Sequence, residues 1–154
     1  MIKIINNPLK KELISRTILY DLPDWFGIPE ATEEYIARSK DLLMYASLDD
    51  NNEANGFISL LPHNKDTIEI YVMGVLKKDR HKGIGKDLIK VTTEYAKDKG
   101  YKFIEVKTLD DSDPDKGYQE TRQFYQRVGF YKLETIKELW SETSPCLIMV
   151  KIVA

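Results

Sequence analysis

The sequence predicts an α+β fold with three layers, in which helices cover a mixed and mostly antiparallel central sheet. Strand-like and helix-like segments follow one another in the order β-α-α-β-β-β-α-β-α-β-β. Most neighbouring strand segments are joined by short polar turns, which favours antiparallel pairing. One strand–helix–strand unit, over 67–108, has the length of a right-handed parallel crossover.

The first half of the chain contains two predicted helices and four predicted strands. Pro8 suits the start of a helix, because its missing N–H would have no partner there. The predicted segments are a strand over 2–5, a helix from Pro8, a helix from 29 or 30 to about 39, and strands over 41–48, 54–61 and 67–76. Five apolar side chains are spaced to share one face of the first helix: Leu9, Leu13, Ile14, Ile18 and Leu19.

The second half continues with helices that end at glycines. The predicted segments are a helix over 85–99, a strand over 103–108, a helix over 117–128 and strands over 130–139 and 147–153. Gly100 and Gly129 follow the two helices, as C-terminal caps commonly do. Four side chains form a helical seam on the longer helix: Ile84, Leu88, Val91 and Tyr95. We expect one domain over residues 1–154.

The composition is that of an ordinary globular protein, with 42% hydrophobic and 31% charged residues and a formal net charge of −2. A slightly acidic chain does not suggest a nucleic-acid partner. No apolar run approaches membrane-spanning length, and the N-terminus lacks a secretory signal pattern. Cys146 is the single cysteine, which fits a reducing compartment. We therefore expect a cytoplasmic protein without a membrane or nucleic-acid partner and without a metal site.

A basic, glycine-containing segment joins the strand over 67–76 to the following helix, and it reads Arg80-His81-Lys82-Gly83-Ile84-Gly85-Lys86. Such a turn presents backbone N–H groups at a helix N-terminus, where anions bind. A dinucleotide fingerprint would need glycine at Leu88, and a Walker loop would need glycine at Arg80. The segment predicts a site for a pyrophosphate-like dianion, and the alternative is an ordinary tight turn.

Two motifs resemble those of the GNAT superfamily of N-acetyltransferases, which bind acetyl-coenzyme A. Residues 75–85 resemble the family's pyrophosphate loop with its preceding strand. A second segment resembles the family's other signature, and it reads Phe124-Tyr125-Gln126-Arg127-Val128-Gly129-Phe130. The element order also matches, so the resemblance covers nearly the whole chain and implies a GNAT-like acyl-CoA N-acyltransferase fold. The implied reaction transfers acetyl from acetyl-CoA to a primary amine by direct attack in a ternary complex.

The resemblance implies a set of cofactor contacts. Backbone N–H groups of Met73, Gly74 and Val75 would bind the acetyl carbonyl and the pantetheine amides. The remaining implied contacts are Arg80, His81, Lys82, Gly83, Ile84, Gly85, Lys86, Thr121 and Phe124. Many family members carry asparagine and alanine seven and four residues before the signature tyrosine, where this chain has Tyr118 and Thr121. Either hydroxyl would replace the asparagine contact, or that contact is absent.

Two residues are candidates for catalysis. Glu69 lies six residues before Val75, where histone-type family members place a general base. The alternative is a glutamate on the polar face of a strand, with Tyr71 or water sharing the base's role. Tyr125 would protonate the departing thiolate, because a phenol can donate a proton there. The alternative is a packed aromatic residue at a helix edge.

The acceptor is the least determined part of the prediction. We expect a small-molecule amine, with a protein lysine or N-terminus as the second choice. A non-catalytic acyl-CoA sensor and a generic nucleotide-phosphate binder are alternatives of other classes. By resemblance, Trp25, Phe26 and Trp140 wall the acceptor pocket, or else they anchor loops, and a homodimer is a candidate assembly. The acidic run over 110–115 would attract a cationic acceptor or be a solvated turn.

Overall fold

The computed structural model of the chain describes residues 1–110, 116–141 and 144–153. Within these residues it contains a seven-stranded mixed sheet, four α-helices and one short 3-10 helix over Lys77–Asp79. The α-helices are α1 (Pro8–Tyr20), α2 (Pro29–Ser39), α3 (Ile84–Asp98) and α4 (Lys116–Arg127). The strands are β1 (Ile2–Ile5), β2 (Leu43–Leu48), β3 (Ala54–Pro62), β4 (Thr67–Val75), β5 (Phe103–Leu109), β6 (Tyr131–Ser141) and β7 (Ser144–Ile152).

The chain divides into two compact units. Unit 1 comprises Met1–Leu61 and Ile70–Glu94, and unit 2 comprises Pro62–Glu69 and Tyr95–Ala154. Unit 1 therefore contains α1, α2 and most of α3, whereas unit 2 contains α4 and the last three strands. None of the described helices is long and apolar enough to cross a bilayer.

Unit 1 is a sheet edge covered by helices. Its strands follow the order β1-β2-β3-β4, and β2 is antiparallel to both β1 and β3, with Met44 opposite Ile5 and Ser59. Ile18 and Leu19 of α1 and Ile36 of α2 are fully or almost fully buried in the core of this unit. Burial of such side chains supplies the main stabilising free energy of the unit.

The predicted apolar face of α1 is only partly correct. Leu9 and Leu13 are 75% and 64% exposed, whereas Lys11 and Ser15 are buried. The buried stripe is rotated because Lys11 turns inward and its Nζ donates to the carbonyl of Leu42 at 2.6 Å. Its aliphatic stem can cover apolar surface while the ammonium keeps a hydrogen-bond partner.

Unit 2 is an antiparallel arrangement in the order β5-β7-β6. Met149 of β7 lies opposite Val106 of β5, and Val150 lies opposite Tyr131 of β6. Ile104, Met149 and Cys146 are completely buried in this unit. Four consecutive residues of β7, Cys146 to Met149, are buried, so both faces of this strand are covered.

Most predicted element boundaries are correct to within two residues. The larger difference is in β7, which begins at Ser144 rather than at position 147. On α3, Leu88 is buried as predicted, but the other seam residues are only half-buried, and Ile89, Thr92 and Ala96 are buried instead. Positions 111–115 of the predicted acidic run lie outside the described residues.

Candidate active site

The loop before α3 is fixed at its start by backbone contacts within unit 1. The N–H of Leu76 donates to the carbonyl of Asn55 at 2.9 Å, and the N–H of Lys77 donates to Asp21 Oδ2 at 2.8 Å. The 3-10 helix follows, and α3 begins at Ile84. These two hydrogen bonds hold the end of β4 and the beginning of the basic loop against β3 and the end of α1.

Two residues of the loop have left-handed backbone conformations. His81 has a φ of 63° and Gly83 a φ of 84°. A β-carbon added at Gly83 would meet nothing within 4 Å, so no neighbouring atom excludes a side chain there. Glycine is favoured at this position because its φ is positive. Turns of this kind, at the N-terminus of a helix whose first N–H groups have no intrahelical acceptor, form anion-binding concavities.

The cationic side chains of the loop have internal neighbours. The guanidinium carbon of Arg80 lies 4.8 Å from the ring centroid of Trp25, so the ring orients the arginine. Lys82 Nζ lies 2.9 Å from Oδ1 of Asp79, a buried carboxylate. The sequence predicted that Trp25 walls an acceptor pocket or anchors its loop, and the structure places its ring against Arg80 of the basic loop.

A close approach between β3 and α3 depends on Gly56, which the sequence analysis did not single out. A β-carbon at Gly56 would lie 2.8 Å from Ile84 Cγ2 and 3.4 Å from the carbonyl oxygen of Gly74. Ile84 is the first residue of α3, so Gly56 sets how closely the loop's helix packs on the strand. A glycine inside a strand-like run was the available signal.

Gly74 is buried and allows side chains of α1 to contact β4. A β-carbon there would lie 3.0 Å from Ile18 Cγ2 and 3.1 Å from Leu22 Cδ1. A glycine at this strand position thus lets α1 pack closely on β4. Met73 and Val75, its predicted partners in binding the acetyl carbonyl, are half-buried on either side of it.

Glu69 belongs to a compact cluster of charges within unit 2. Its side chain is buried, and its Oε1 lies 2.7 Å from His63 Nε2 and 3.0 Å from Lys107 Nζ. Glu105 Oε1 lies 3.6 Å from the same imidazole and 3.3 Å from the same ammonium. The predicted base is therefore an enclosed, paired carboxylate rather than a solvated residue on a polar strand face.

Lys107 contacts both carboxylates of this cluster. Burial opposes its charged form, but the hydrogen bond and charge of Glu69, aided by Glu105, outweigh burial and raise the pKa of Lys107 above its ordinary value. The sequence showed no partner for His63, although the hairpin spacing between β3 and β4 was a signal that it could face Glu69.

Three groups of this cluster are of metal-ligand type. The ligand atoms of His63, Glu69 and Glu105 all lie within 4.8 Å of one another. The ammonium of Lys107 lies close to both carboxylates and already supplies a positive charge there. The geometry is thus that of an internal ion-pair network around a buried carboxylate.

Tyr125 is enclosed by aromatic side chains of unit 2. Its ring centroid lies 5.4 Å from that of Phe124 and 5.3 Å from that of Phe130. Burial, with a smaller contribution from Tyr118, raises the pKa of Tyr125 far above that of an exposed phenol. The phenol therefore stays protonated near neutral pH, as a hydrogen-bond donor must.

The helix that carries Tyr125 is held by a buried arginine that the sequence analysis missed. Arg122 Nη1 donates to the carbonyls of Leu109 and Asp110, at 2.8 and 3.0 Å. This contact ties α4 to the end of β5. On the same helix the hydroxyl of Thr121 donates to the carbonyl of Gly117 at 3.0 Å, so its donor is used locally.

A row of aromatic side chains runs from the α1–α2 connection to β4 in unit 1. The ring centroids of Phe26 and Tyr35 are 5.8 Å apart, and those of Tyr35 and Tyr71 are 5.2 Å apart. Arg38 covers the Tyr71 ring, with its guanidinium carbon 5.0 Å from the centroid. Burial raises the pKa of the Tyr71 phenol, and the charge of Arg38 opposes that shift.

Comparison with known proteins agrees with this geometry. A family model described as the acetyltransferase (GNAT) family matches residues 14–130. A structure described as a GNAT-family acetyltransferase from Desulfovibrio desulfuricans has a TM-score of 0.84 at 17% identity, covering 100% of this chain and 99% of that one.

Two further solved structures are similar and have the coenzyme bound. An aminoglycoside 6'-N-acetyltransferase complexed with coenzyme A has a TM-score of 0.76 at 19% identity, covering 100% of this chain and 97% of that chain. A GNAT family acetyltransferase from Elizabethkingia anophelis with acetyl-CoA bound has a TM-score of 0.66 at 24% identity, covering 85% and 87%.

A mixed sheet, a basic loop with a left-handed turn at the start of α3 and a family match over residues 14–130 define an acyl-CoA-dependent transferase. The chain belongs to the GNAT family of acetyltransferases. The predicted fold class, enzyme class and cosubstrate, acetyl-CoA, are thereby confirmed.

Proposed function

We propose that this protein is an N-acetyltransferase that transfers acetyl from acetyl-CoA to the primary amine of a small molecule. The observation that carries the proposal is the left-handed turn at His81 and Gly83, directly before α3 and beside Arg80. This turn combines backbone N–H donors, a helix N-terminus and a guanidinium, which together suit a pyrophosphate. Residues 1–154 act as one domain in this proposal.

The coenzyme would be held chiefly by the basic loop and by the backbone of β4. Arg80, Lys82, Gly83 and Gly85 bind the pyrophosphate, with the N–H groups of His81, Ile84 and Lys86 completing the turn. Lys82 exchanges Asp79 for a phosphate oxygen when the coenzyme binds. The backbone of Met73, Gly74 and Val75 takes the acetyl carbonyl and pantetheine amides, and Thr121 and Phe124 of α4 provide the remaining contacts.

The proposed reaction is a direct acyl transfer. Glu69, directly or through a water molecule, removes a proton from the acceptor ammonium, and the freed lone pair attacks the thioester carbonyl. Backbone N–H groups stabilise the oxyanion that forms. The C–S bond then breaks and the CoA thiolate takes the proton of Tyr125. The tyrosinate takes the second proton of the attacking nitrogen, Glu69 releases its proton to water, and the products are the amide and free CoA.

Two kinds of acceptor fit a GNAT enzyme, and the small molecule is the better supported one. Solved neighbours include aminoglycoside 6'-N-acetyltransferases at 19 to 21% identity, over nearly the full length of both chains. A protein lysine or N-terminus is the second candidate. We also propose that the protein is cytoplasmic and a homodimer, in keeping with its single buried thiol and with the family resemblance.

Calorimetric titration with acetyl-CoA tests the coenzyme site. Wild-type protein should bind with micromolar affinity, and Arg80→Ala combined with Gly83→Val should bind at least about tenfold more weakly, a loss of about 1.4 kcal/mol. Lys90→Ala, an exposed lysine on α3, is the matched control and should bind normally. Circular dichroism must show that each variant is folded, because valine is strained at the φ of Gly83.

Three results would overturn the proposal in different ways. A folded wild-type protein that does not bind acetyl-CoA would exclude the coenzyme site. Equal competition by ATP or NAD would indicate a generic phosphate binder. Binding without thiol release across a broad panel of amines would indicate a sensor rather than an enzyme.

A further inference from the structure

Arg38 on α2 and Arg16 on α1 differ in whether their guanidinium groups form ion pairs. Arg16 of α1 forms ion pairs with Glu33 at 2.7 Å and with Glu12 at 3.5 Å. Arg38 is exposed, and among the described residues no carboxylate lies within ion-pair distance of it. Its partner is Tyr71: the guanidinium carbon lies 5.0 Å from the ring centroid, and the guanidinium also hydrogen-bonds to the phenol.

The contact with Tyr71 leaves most of the guanidinium donors available. A guanidinium has five N–H donors, so a hydrogen bond to one phenol leaves others that match the two oxygens of a carboxylate. The ring also fixes the orientation of the guanidinium, so less side-chain entropy is lost when an anion binds. Arg38 on Tyr71 is therefore a preorganised donor for a planar anion.

The same place offers apolar surface beside the cation. Tyr35 and Phe26 continue the aromatic row from Tyr71, and all three side chains are half-buried. A molecule that pairs an anionic group with an apolar or aromatic body would satisfy both features. Half-exposed rings next to a fixed cation are a common arrangement in ligand sites.

Tyr71 is also close along the chain to the proposed acetyl site. It precedes Met73 by two residues on β4, a separation of about 7 Å along a strand, and alternate residues share a strand face. An amine that attacks a carbonyl bound near Met73 would have its neighbouring groups near Tyr71. The anion that Arg38 binds would thus lie only a few bonds from the reacting nitrogen.

We propose that the acceptor is an amine that carries a carboxylate near its reactive nitrogen, and that Arg38 binds this carboxylate. This inference rests on the proposed function, because it places the acetyl carbonyl against the backbone around Met73. Glu34 lies one helical turn before Arg38, and its charge acts on the Tyr71 phenol. It is not within ion-pair distance of Arg38. A polycationic acceptor such as an aminoglycoside would be repelled by Arg38.

The test compares matched amines with and without a carboxylate. The probes are phenylalanine against phenethylamine and lysine against cadaverine, assayed by release of the CoA thiol. Wild-type protein should favour the carboxylated member of each pair by at least about tenfold in kcat/KM, about 1.4 kcal/mol of discrimination. Arg38→Gln should abolish this preference mainly by raising KM for the carboxylated member, and Arg38→Lys should retain part of it. Arg16→Gln is the control, because its arginine is already paired.

The outcomes separate this inference from the proposed function. Acetyl-CoA affinity should be the same in wild type and Arg38→Gln, and loss of binding by wild type would reject the proposed function itself. The pairs are also titrated calorimetrically into CoA-saturated protein, so that the comparison holds without turnover. Preference for the decarboxylated amine or for kanamycin would overturn the inference. An equal effect of Arg38→Gln on both members, or no effect, would overturn it too.

Discussion

Replacing Gly56 with alanine would test how β3 positions the first residue of α3. The added β-carbon would lie 2.8 Å from Ile84 Cγ2 and 3.4 Å from Leu88 Cδ1. Favourable carbon–carbon contacts lie at about 3.5 to 4.0 Å, so Ile84 or its backbone must move by roughly an ångström. Such a shift would be transmitted to the loop that immediately precedes Ile84.

The expected cost is the difference between two effects. Overpacking a well-filled site costs about 1 to 3 kcal/mol. Alanine in place of glycine regains about 0.4 to 1 kcal/mol by restricting the unfolded chain. The net loss should be between about 0 and 2.6 kcal/mol, and for a chain of this size each kcal/mol lowers Tm by about 2 to 4 °C.

A double-mutant cycle with Ile84→Ala measures the clash directly. Truncating Ile84 removes Cγ2, so the β-carbon at position 56 would then occupy the vacated space. Urea unfolding of the four proteins should give a double variant more stable than the sum of the single losses by about 1 kcal/mol or more. Acetyl-CoA titration should show weaker binding in Gly56→Ala alone, by up to about tenfold. Additive losses within about 0.5 kcal/mol would refute this account of Gly56.

The remaining predictions use other features of the site. Tyr125→Phe should lower kcat by about a hundredfold with little change in acetyl-CoA affinity, and an unchanged kcat would reject the acid role. The wild-type rate should show no loss from phenol ionisation up to about pH 10. Trp25→Leu should weaken acetyl-CoA binding by about two- to fivefold, because the ring orients Arg80; equal affinity would mean that the stack is incidental. Burial raises the pKa of Cys146 to about 11, so a thiol reagent at about pH 8 should find no reactive thiol in native protein and one after denaturation. Folding raises the pKa of Lys107 above its unfolded value of 10.5. The stabilisation that its charge provides is therefore complete below that unfolded pKa and is lost as the pH rises through the folded pKa. Unfolding measured against pH should show that Lys107→Met removes this loss of stability at alkaline pH.

The parts of the site that depend on neighbouring residues could be predicted from the sequence. The turn at 80–85 needs a glycine at a left-handed position and a helix start directly after it, and both requirements are visible in a short segment. The order of strands and helices likewise follows from local patterns of apolar residues. The motif of Tyr125 was predicted by resemblance, and its enclosure by Phe124 and Phe130 follows from residues close in the chain.

The contacts between distant segments could not be predicted in this way. Nothing local indicates that Trp25 lies against Arg80, or that Lys107 and His63 converge on Glu69. Such pairings depend on strand register and helix placement, which a single sequence does not specify. The rotated face of α1 has the same origin, because whether a leucine or the stem of a lysine is buried depends on what the sheet offers opposite it.

The charges of the basic loop show why its backbone says more about the site than its lysines do. The sequence places five cationic residues and one histidine over 77–86, which suggests an anion site by charge alone. In the structure, Lys82 is paired with Asp79, and Asp21 accepts from the backbone of Lys77. Of the five cationic side chains, that of Lys82 is therefore balanced by a carboxylate of the same segment. What distinguishes the loop from an ordinary basic turn is the left-handed conformation at Gly83 and the start of α3, and these features would persist if the lysines were replaced.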